Sequence, residues 1–115
     1  MSFTKLGVVI PLGSGGDFDD AQIITPSAVI RDGRTWLYYA GYDGSKYRIG
    51  AAVSDDGVHF TKLGVVIPLG SGGDFDDDRV INPGAVIRDG RTWLYYAGRD
   101  GSNHRIGAAV SDDGY

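Results

Sequence analysis

Short apolar runs recur along the chain, and a turn signal closes each of them. Ala28-Val29-Ile30-Arg31 ends at Asp32-Gly33, a pair that predicts a tight hairpin between two strands. Thr35-Trp36-Leu37-Tyr38-Tyr39 follows, rich in aromatic and β-branched residues, and ends at Asp43-Gly44-Ser45. Arg48-Ile49-Gly50-Ala51-Ala52-Val53 runs into Asp55-Asp56-Gly57, and Phe60-Thr61-Lys62-Leu63 is the fourth apolar segment. Gly50, Ala51 and Ala52 are small enough for a neighbouring sheet to approach closely. No segment keeps a helical period over three turns, so the chain reads as all-β.

The pattern then repeats. Residues 3–58 align with residues 60–115 at a shift of 57 positions without a gap. Nine of the 56 aligned pairs differ: Ala21/Asp78, Gln22/Arg79, Ile23/Val80, Thr25/Asn82, Ser27/Gly84, Tyr42/Arg99, Lys46/Asn103, Tyr47/His104 and Val58/Tyr115. Such near-identity points to recent duplication or deliberate construction. A fixed period of this size marks a solenoid, a propeller or an array, and four short antiparallel strands per repeat make a propeller blade. The expected architecture is a β-propeller of four-stranded antiparallel blades, two per chain, with repeats at 1–58 and 59–115. Between the fourth strand and the next repeat a connection is expected over 64–82, with Val65-Val66-Ile67 either packing on a neighbouring blade or forming a short extra strand.

The residues Asp17-Phe18-Asp19 before Pro26, Ala28 to Gly33, Trp36-Leu37-Tyr38-Tyr39-Ala40-Gly41, Arg48 to Ala52, Ser54-Asp55-Asp56-Gly57 and Phe60 resemble one blade of the five-bladed glycosidase propellers. Those are the arabinanase and furanosidase, invertase-like and mannoside phosphorylase groups. Asn82-Pro83-Gly84-Ala85-Val86 is the closer match in the second copy. The resemblance implies carbohydrate chemistry. At the position where the arabinanase group often carries a carboxylate before Pro, this chain has Thr25 or Asn82.

Two blades leave apolar faces and a sheet edge uncovered, and exposed edges template association. The first reading is therefore a self-assembling structural module without catalysis. The strand at Phe3 and Leu6 would complete the second blade of the next chain, as Phe60 and Leu63 complete the first blade. Head-to-tail contacts close into a ring when the rotation permits, and a ring of three chains and six blades is the favoured outcome. The alternative reading is a carbohydrate-binding or weakly glycoside-processing unit, with Asn82, Asp76, Asp19, Arg88 and Arg31 as ligand candidates.

Composition narrows the chemistry further. The net charge of −4 argues against nucleic acid, which needs a basic face. Cysteine is absent, so no disulfide or thiolate metal site exists. Apolar runs are too short for a transmembrane helix, and Met-Ser-Phe-Thr-Lys lacks the apolar core of a signal peptide, so a soluble, cytoplasmic protein is expected. No cofactor is implied. The carboxylates Asp74, Asp76 and Asp78 alternate in the manner of a calcium loop, but no glycine turn or downstream Glu completes that motif. Ser54-Asp55-Asp56-Gly57 reads as a turn cap rather than a nucleophile, and the histidines His59 and His104 have no triad partners. Arg31, Arg48, Arg88 and Arg105 are expected to pair with Asp in adjacent turns. Glycoside hydrolysis needs two carboxylates in different environments, and near-identical repeats supply near-identical environments.

Overall fold

The computed structural model describes residues 2–115. Seven strands form two antiparallel sheets, one of four strands and one of three. The first sheet runs β1 (Gln22–Arg31), β2 (Arg34–Tyr42), β3 (Tyr47–Ser54) and β4 (Thr61–Ile67), in that spatial order. The second runs β5 (Arg79–Arg88), β6 (Arg91–Arg99) and β7 (His104–Ser111).

The turns follow from local chemistry. Arg31 pairs with Arg34, leaving Asp32 and Gly33 as a two-residue loop with φ of 53° and 73°. Both central residues are left-handed, the form whose twist matches the flanking strands. The β2–β3 turn is held by Asp43, whose carboxylate accepts the backbone N–H groups of Ser45 and Lys46. After β3, the Ser54 hydroxyl accepts the N–H groups of Asp56 and Gly57, and Asp56 accepts those of Val58 and His59. The Ser-Asp-Asp-Gly motif is a cap, as its composition predicts.

The strands are longer than the apolar runs alone indicate. β1 begins at Gln22, six residues before Ala28, because a bulge between Ile24 and Ser27 carries the strand past Pro26. β4 continues through Val65, Val66 and Ile67, with register shifts against β3, so the expected connection over 64–82 shrinks to residues 68–78. Phe60 lies just outside β4. The N-terminal segment that contains Phe3 and Leu6 forms no strand within this chain, and both side chains are exposed.

Opposite faces of the two sheets meet in the core. The first sheet contributes Trp36, Tyr38, Ile49, Ala51 and Val53, and the second contributes Val80, Leu94 and Tyr96. Trp36 and Tyr38 stand at alternate positions of β2. Leu94 and Tyr96 correspond in the repeat to Leu37 and Tyr39, which point the other way. Each repeat therefore has a tryptophan face and a leucine face, and the junction joins one of each.

Alternation predicts that only every second aromatic of β2 is buried. Instead Tyr38 and Tyr39 are each 1% exposed. The second sheet covers Tyr38, while Phe18 stacks on Tyr39 from the segment before β1 at 5.9 Å. Phe18 lies so close to the backbone at Gly41 and Gly50 that a Cβ at either position would overlap its ring. In the second sheet Tyr96 is buried and Tyr95 is exposed, because nothing among the described residues covers the tryptophan face there.

Candidate functional site

Five of the nine divergent pairs converge at one end of the sheets. Gln22 pairs with Tyr42 and Tyr42 with Tyr47, making a cross-strand row at the start of β1. The corresponding row of the second sheet is Arg79, Arg99 and His104. All three pairs differ between the repeats, and the flanking pairs Ala21/Asp78 and Lys46/Asn103 differ as well. Ile23/Val80, Thr25/Asn82 and Ser27/Gly84 continue the difference along the inner strands β1 and β5.

This end is aromatic on one sheet and basic on the other. Tyr42 and Tyr47 stack with centroids 4.4 Å apart. The Tyr47 hydroxyl donates to Gln22 Oε1 at 3.3 Å, and the Arg79 guanidinium lies over the Tyr47 ring at 5.5 Å. The Asp78 carboxylate meets Lys46 Nζ at 2.8 Å, Arg99 at 2.9 Å and Arg79 at 3.6 Å. The hydrogen bonds from Lys46 and Arg99 hold its pKa below the usual carboxylate range. Three cations around one carboxylate leave local positive charge on a chain whose total is −4.

Backbone strain marks the same strands. Thr25 and Asn82, each before a proline, have φ of 53° and 55°. Asn tolerates the left-handed region, whereas a β-branched Thr there is an outlier. Thr25 Oγ1 is buried without a hydrogen-bond partner. Asn82 is exposed and borders a shallow recess with Gly84, Tyr95, Tyr96, Ala97 and Ile106.

The other predicted site residues are held elsewhere. Asp19 is buried, accepting from the Tyr39 hydroxyl at 3.0 Å and from Lys62 Nζ at 2.9 Å. Asp76 is buried against the Tyr96 hydroxyl at 2.9 Å. Burial, reinforced by the hydrogen bond to Asp76, pushes the Tyr96 hydroxyl up to about 12, and burial with Asp19 raises Tyr39 in the same direction. Both carboxylates fasten their loops to their own sheets. Asp17, Asp20, Asp74 and Asp77 accept backbone N–H groups of the same loops.

The three alternating carboxylates of the calcium reading take separate partners. Asp74 caps Ser71, Asp76 turns inward to Tyr96 and Asp78 faces Lys46 and Arg99. Among the described residues no three acidic or histidine side chains gather as a metal site. A regular strand would bring residues 74, 76 and 78 to one face; this loop turns instead, and each carboxylate finds a separate partner.

Arg48 and Arg105 pair with Asp43 and Asp100 in adjacent turns, at 3.1 Å and 3.0 Å. Arg31 departs from that expectation. Although Asp32 lies 3.6 Å away, its guanidinium also crosses the junction to donate to Thr92 Oγ1 at 2.8 Å and to the Asp112 carbonyl. The Tyr38 hydroxyl crosses too, donating to the Gly114 carbonyl at 2.7 Å. Arg88, the repeat equivalent of Arg31, lies over the Trp93 ring instead, at 5.7 Å. An apolar cleft of about 130 Å³ lies at the junction, lined by residues including Tyr38, Ile67, Leu94, Val110 and Tyr115. No helix is long and apolar enough to cross a membrane among the described residues.

The fold has clear relatives among solved structures. A family 117 glycoside hydrolase from the marine bacterium Zobellia galactanivorans superposes with a TM-score of 0.72 at 18% identity, over 78% of this chain and 35% of its own. A structure from the GH130 family of mannoside phosphorylases, described with hydrolases that target β-1,2-mannosidic linkages in Candida mannan, gives 0.75 at 20% identity over 83% and 30%. A glycosyl hydrolase of Bacteroides ovatus gives 0.70 at 22% identity over 78% and 29%. The chain spans about a third of the length of these structures. It has the all-β architecture of a segment of a propeller glycoside hydrolase. No family profile matches the sequence, and no curated protein does.

Proposed function

We propose that the two sheets are consecutive propeller blades and that they bind carbohydrate at the divergent end row. The observation that carries this reading is the location of the differences. A duplicated chain with five of its nine differences in one cross-strand row and its flanks has that row free to specialise while most of the rest holds the fold. The row combines the stacked Tyr42–Tyr47 pair with the charged groups Arg79, Asp78, Lys46 and Arg99. Aromatic side chains offer an apolar face with a polar tip, and charged donors and acceptors beside them match a ring of hydroxyls. Asn82, exposed at its left-handed bulge, borders the recess next to β6.

The neighbours support carbohydrate as the ligand class, since each is a glycoside hydrolase or belongs to a phosphorylase family. Titration of the folded chain with β-1,2-mannobiose and with a galacturonic acid disaccharide, followed by amide chemical shifts, tests the reading. Saturable shifts centred on residues 22, 42, 47, 79 and 99 are expected, with a dissociation constant on the order of millimolar, about −4 kcal/mol. Tyr47→Ala should abolish saturation without unfolding the chain. Linear, unsaturated shifts with both sugars would remove the proposal. Hydrolysis is the second reading, favoured by the activity of the neighbours. Release of reducing ends from the same disaccharides, lost on Asp78→Asn, would establish it.

A further inference from the structure

The edge of β7 is open where that of β3 is not. In the first sheet β4 pairs with β3, and Lys62 reaches from β4 to Asp19 at 2.9 Å and to the Pro11 carbonyl at 2.6 Å. The second sheet ends at β7. Its corresponding carboxylate, Asp76, is 8% exposed and takes the Tyr96 hydroxyl, with no cation paired to it among the described residues. A buried carboxylate without a cation carries an uncompensated desolvation cost. The repeat equivalent of Lys62 is Lys5, which is exposed beside Phe3 and Leu6 and has no ion pair among the described residues.

We propose that residues 4–10 of a second copy of this chain add to β7 as its fourth strand and deliver Lys5 to Asp76 and the Pro68 carbonyl. The register is fixed by the first sheet. There Ile49 faces Ile67, Gly50 faces Val65, Ala51 faces Gly64, Ala52 faces Lys62 and Val53 faces Thr61. The same spacing sets Ile106 against Ile10, Gly107 against Val8, Ala108 against Gly7, Ala109 against Lys5 and Val110 against Thr4. Strand addition to an exposed edge satisfies its free backbone groups.

The sheet faces carry the same message independently. The junction within the chain joins a tryptophan face to a leucine face, so the same contact can be repeated between copies. The donors that would remake it are present on the second sheet. Arg88 stands where Arg31 crosses to Thr92 and Asp112, and Tyr95 stands where Tyr38 crosses to Gly114. The acceptors on the first sheet of the incoming copy are Thr35, the Asp55 carbonyl and the Gly57 carbonyl. Its leucine face is a recess lined by Val9, Ile10, Ile23, Ile24, Pro26, Leu37 and Tyr39, and the tryptophan face that it meets has exposed Tyr95, Ile106 and Val110.

The divergent residues make this second junction weaker than the first. Within the chain Lys46 pairs with Asp78 and Arg79 covers Tyr47. Between copies the same positions bring Asn103 to Ala21 and His104 to Gln22. Tyr115 stacks on Trp36 within the chain at 6.0 Å, whereas Trp93 would meet Val58. The copy-to-copy contact therefore lacks the ion pair, the cation–π contact and the aromatic stack, and its assembly is reversible on dilution.

This inference does not depend on sugar binding. The test combines solution mass by light scattering with a directed cross-link. The chain contains no cysteine, so Thr4→Cys with Val110→Cys introduces the only thiols. We expect a mass that rises with concentration to a discrete multiple of one chain, three chains if six sheets close the ring. Oxidation should give covalent multimers on a non-reducing gel. Lys5→Glu should weaken association at least about tenfold while leaving the monomer's circular dichroism unchanged. A one-chain mass at every concentration, or disulfides confined within single chains, overturns the proposal. A one-chain mass together with binding of a synthetic peptide spanning residues 3–12 also overturns the second copy as the occupant, and assigns the edge to a strand from another source.

Discussion

The strand Tyr47–Ser54 and the strand His104–Ser111 differ only in their first residue, yet they live in different surroundings. Ile49 is fully buried and Ile106 is 75% exposed. Val53 is buried and Val110 is exposed. The first strand lies between β2 and β4 and beneath the second sheet, while the second strand has one neighbour and an open face. Identical local propensity gives identical hydrogen-bonded hairpins, seen in the matching registers of β2 with β3 and β6 with β7. Burial, and with it most of the stabilisation, comes from what packs on top.

The largest test of this contrast removes the same atoms from both strands. Ile49→Ala should destabilise the monomeric chain by about 2–5 kcal/mol, because the cavity is fully enclosed. Ile106→Ala should change it by less than about 0.5 kcal/mol, as an exposed substitution does. Urea denaturation at low protein concentration measures both, and equal effects would break the comparison.

A second pair separates the arginines. Arg31→Ala deletes charge-assisted hydrogen bonds to Thr92 and the Asp112 carbonyl, a loss of about 1–3 kcal/mol. Arg88→Ala deletes a cation–π contact with Trp93 at a more exposed site, worth about 0.5–1 kcal/mol. The ratio of the two shifts in denaturation midpoint reports whether the junction within the chain is the stronger clamp.

The bulges offer a smaller, reciprocal exchange. Thr25→Asn copies the second repeat and should stabilise by about 1 kcal/mol, since Asn accepts a φ near 53° more readily than a β-branched side chain. Asn82→Thr should cost a similar amount. Shifts of one sign in both variants would mean that the φ value does not decide the outcome.

Acid should act on the turn carboxylates of both repeats, with a further loss in the second from Asp78, which Ala21 replaces in the first. Asp43 and Asp56 in the first, and Asp100 and Asp113 in the second, all have lowered pKa values. Backbone N–H groups dominate for Asp43, and His59 for Asp56; the Ser111 hydroxyl dominates for Asp113. Asp100 falls to about 2, chiefly through the N–H groups of Asn103 and Ser102. A depressed folded-state pKa contributes stability above the unfolded value, near 4, and that contribution is lost as pH falls through the folded value. Thermal midpoints should therefore fall steadily as pH drops from about 4 to about 2.

Much of this was legible in the chain. Asp32-Gly33 and Asp89-Gly90 named their hairpins because few residues accept two left-handed positions in a row. The 57-residue shift exposed the repeat, and Ser54 and Asp56 declared a cap. The length of β1 was hidden because Pro26 usually ends a strand, and only the bulge beside it shows how pairing continues. The end row was hidden for another reason. Its residues lie in three separate segments, and the nine differences look scattered until the hairpins bring positions 22, 42 and 47 side by side.

The sequence alone determined the strands, their turns and their near-identity, since these depend on neighbours within a few positions. Alternation along the pleat also separates the tryptophan face of each repeat from its leucine face, although both are apolar. Only the tertiary structure decided which copy of each face is covered. Arg31 and Arg88 have the same neighbours in the chain, and one spans a junction while the other lies on its own tryptophan. Packing is a relation between distant segments, and a repeat supplies two equal claimants for every contact that only one of them makes.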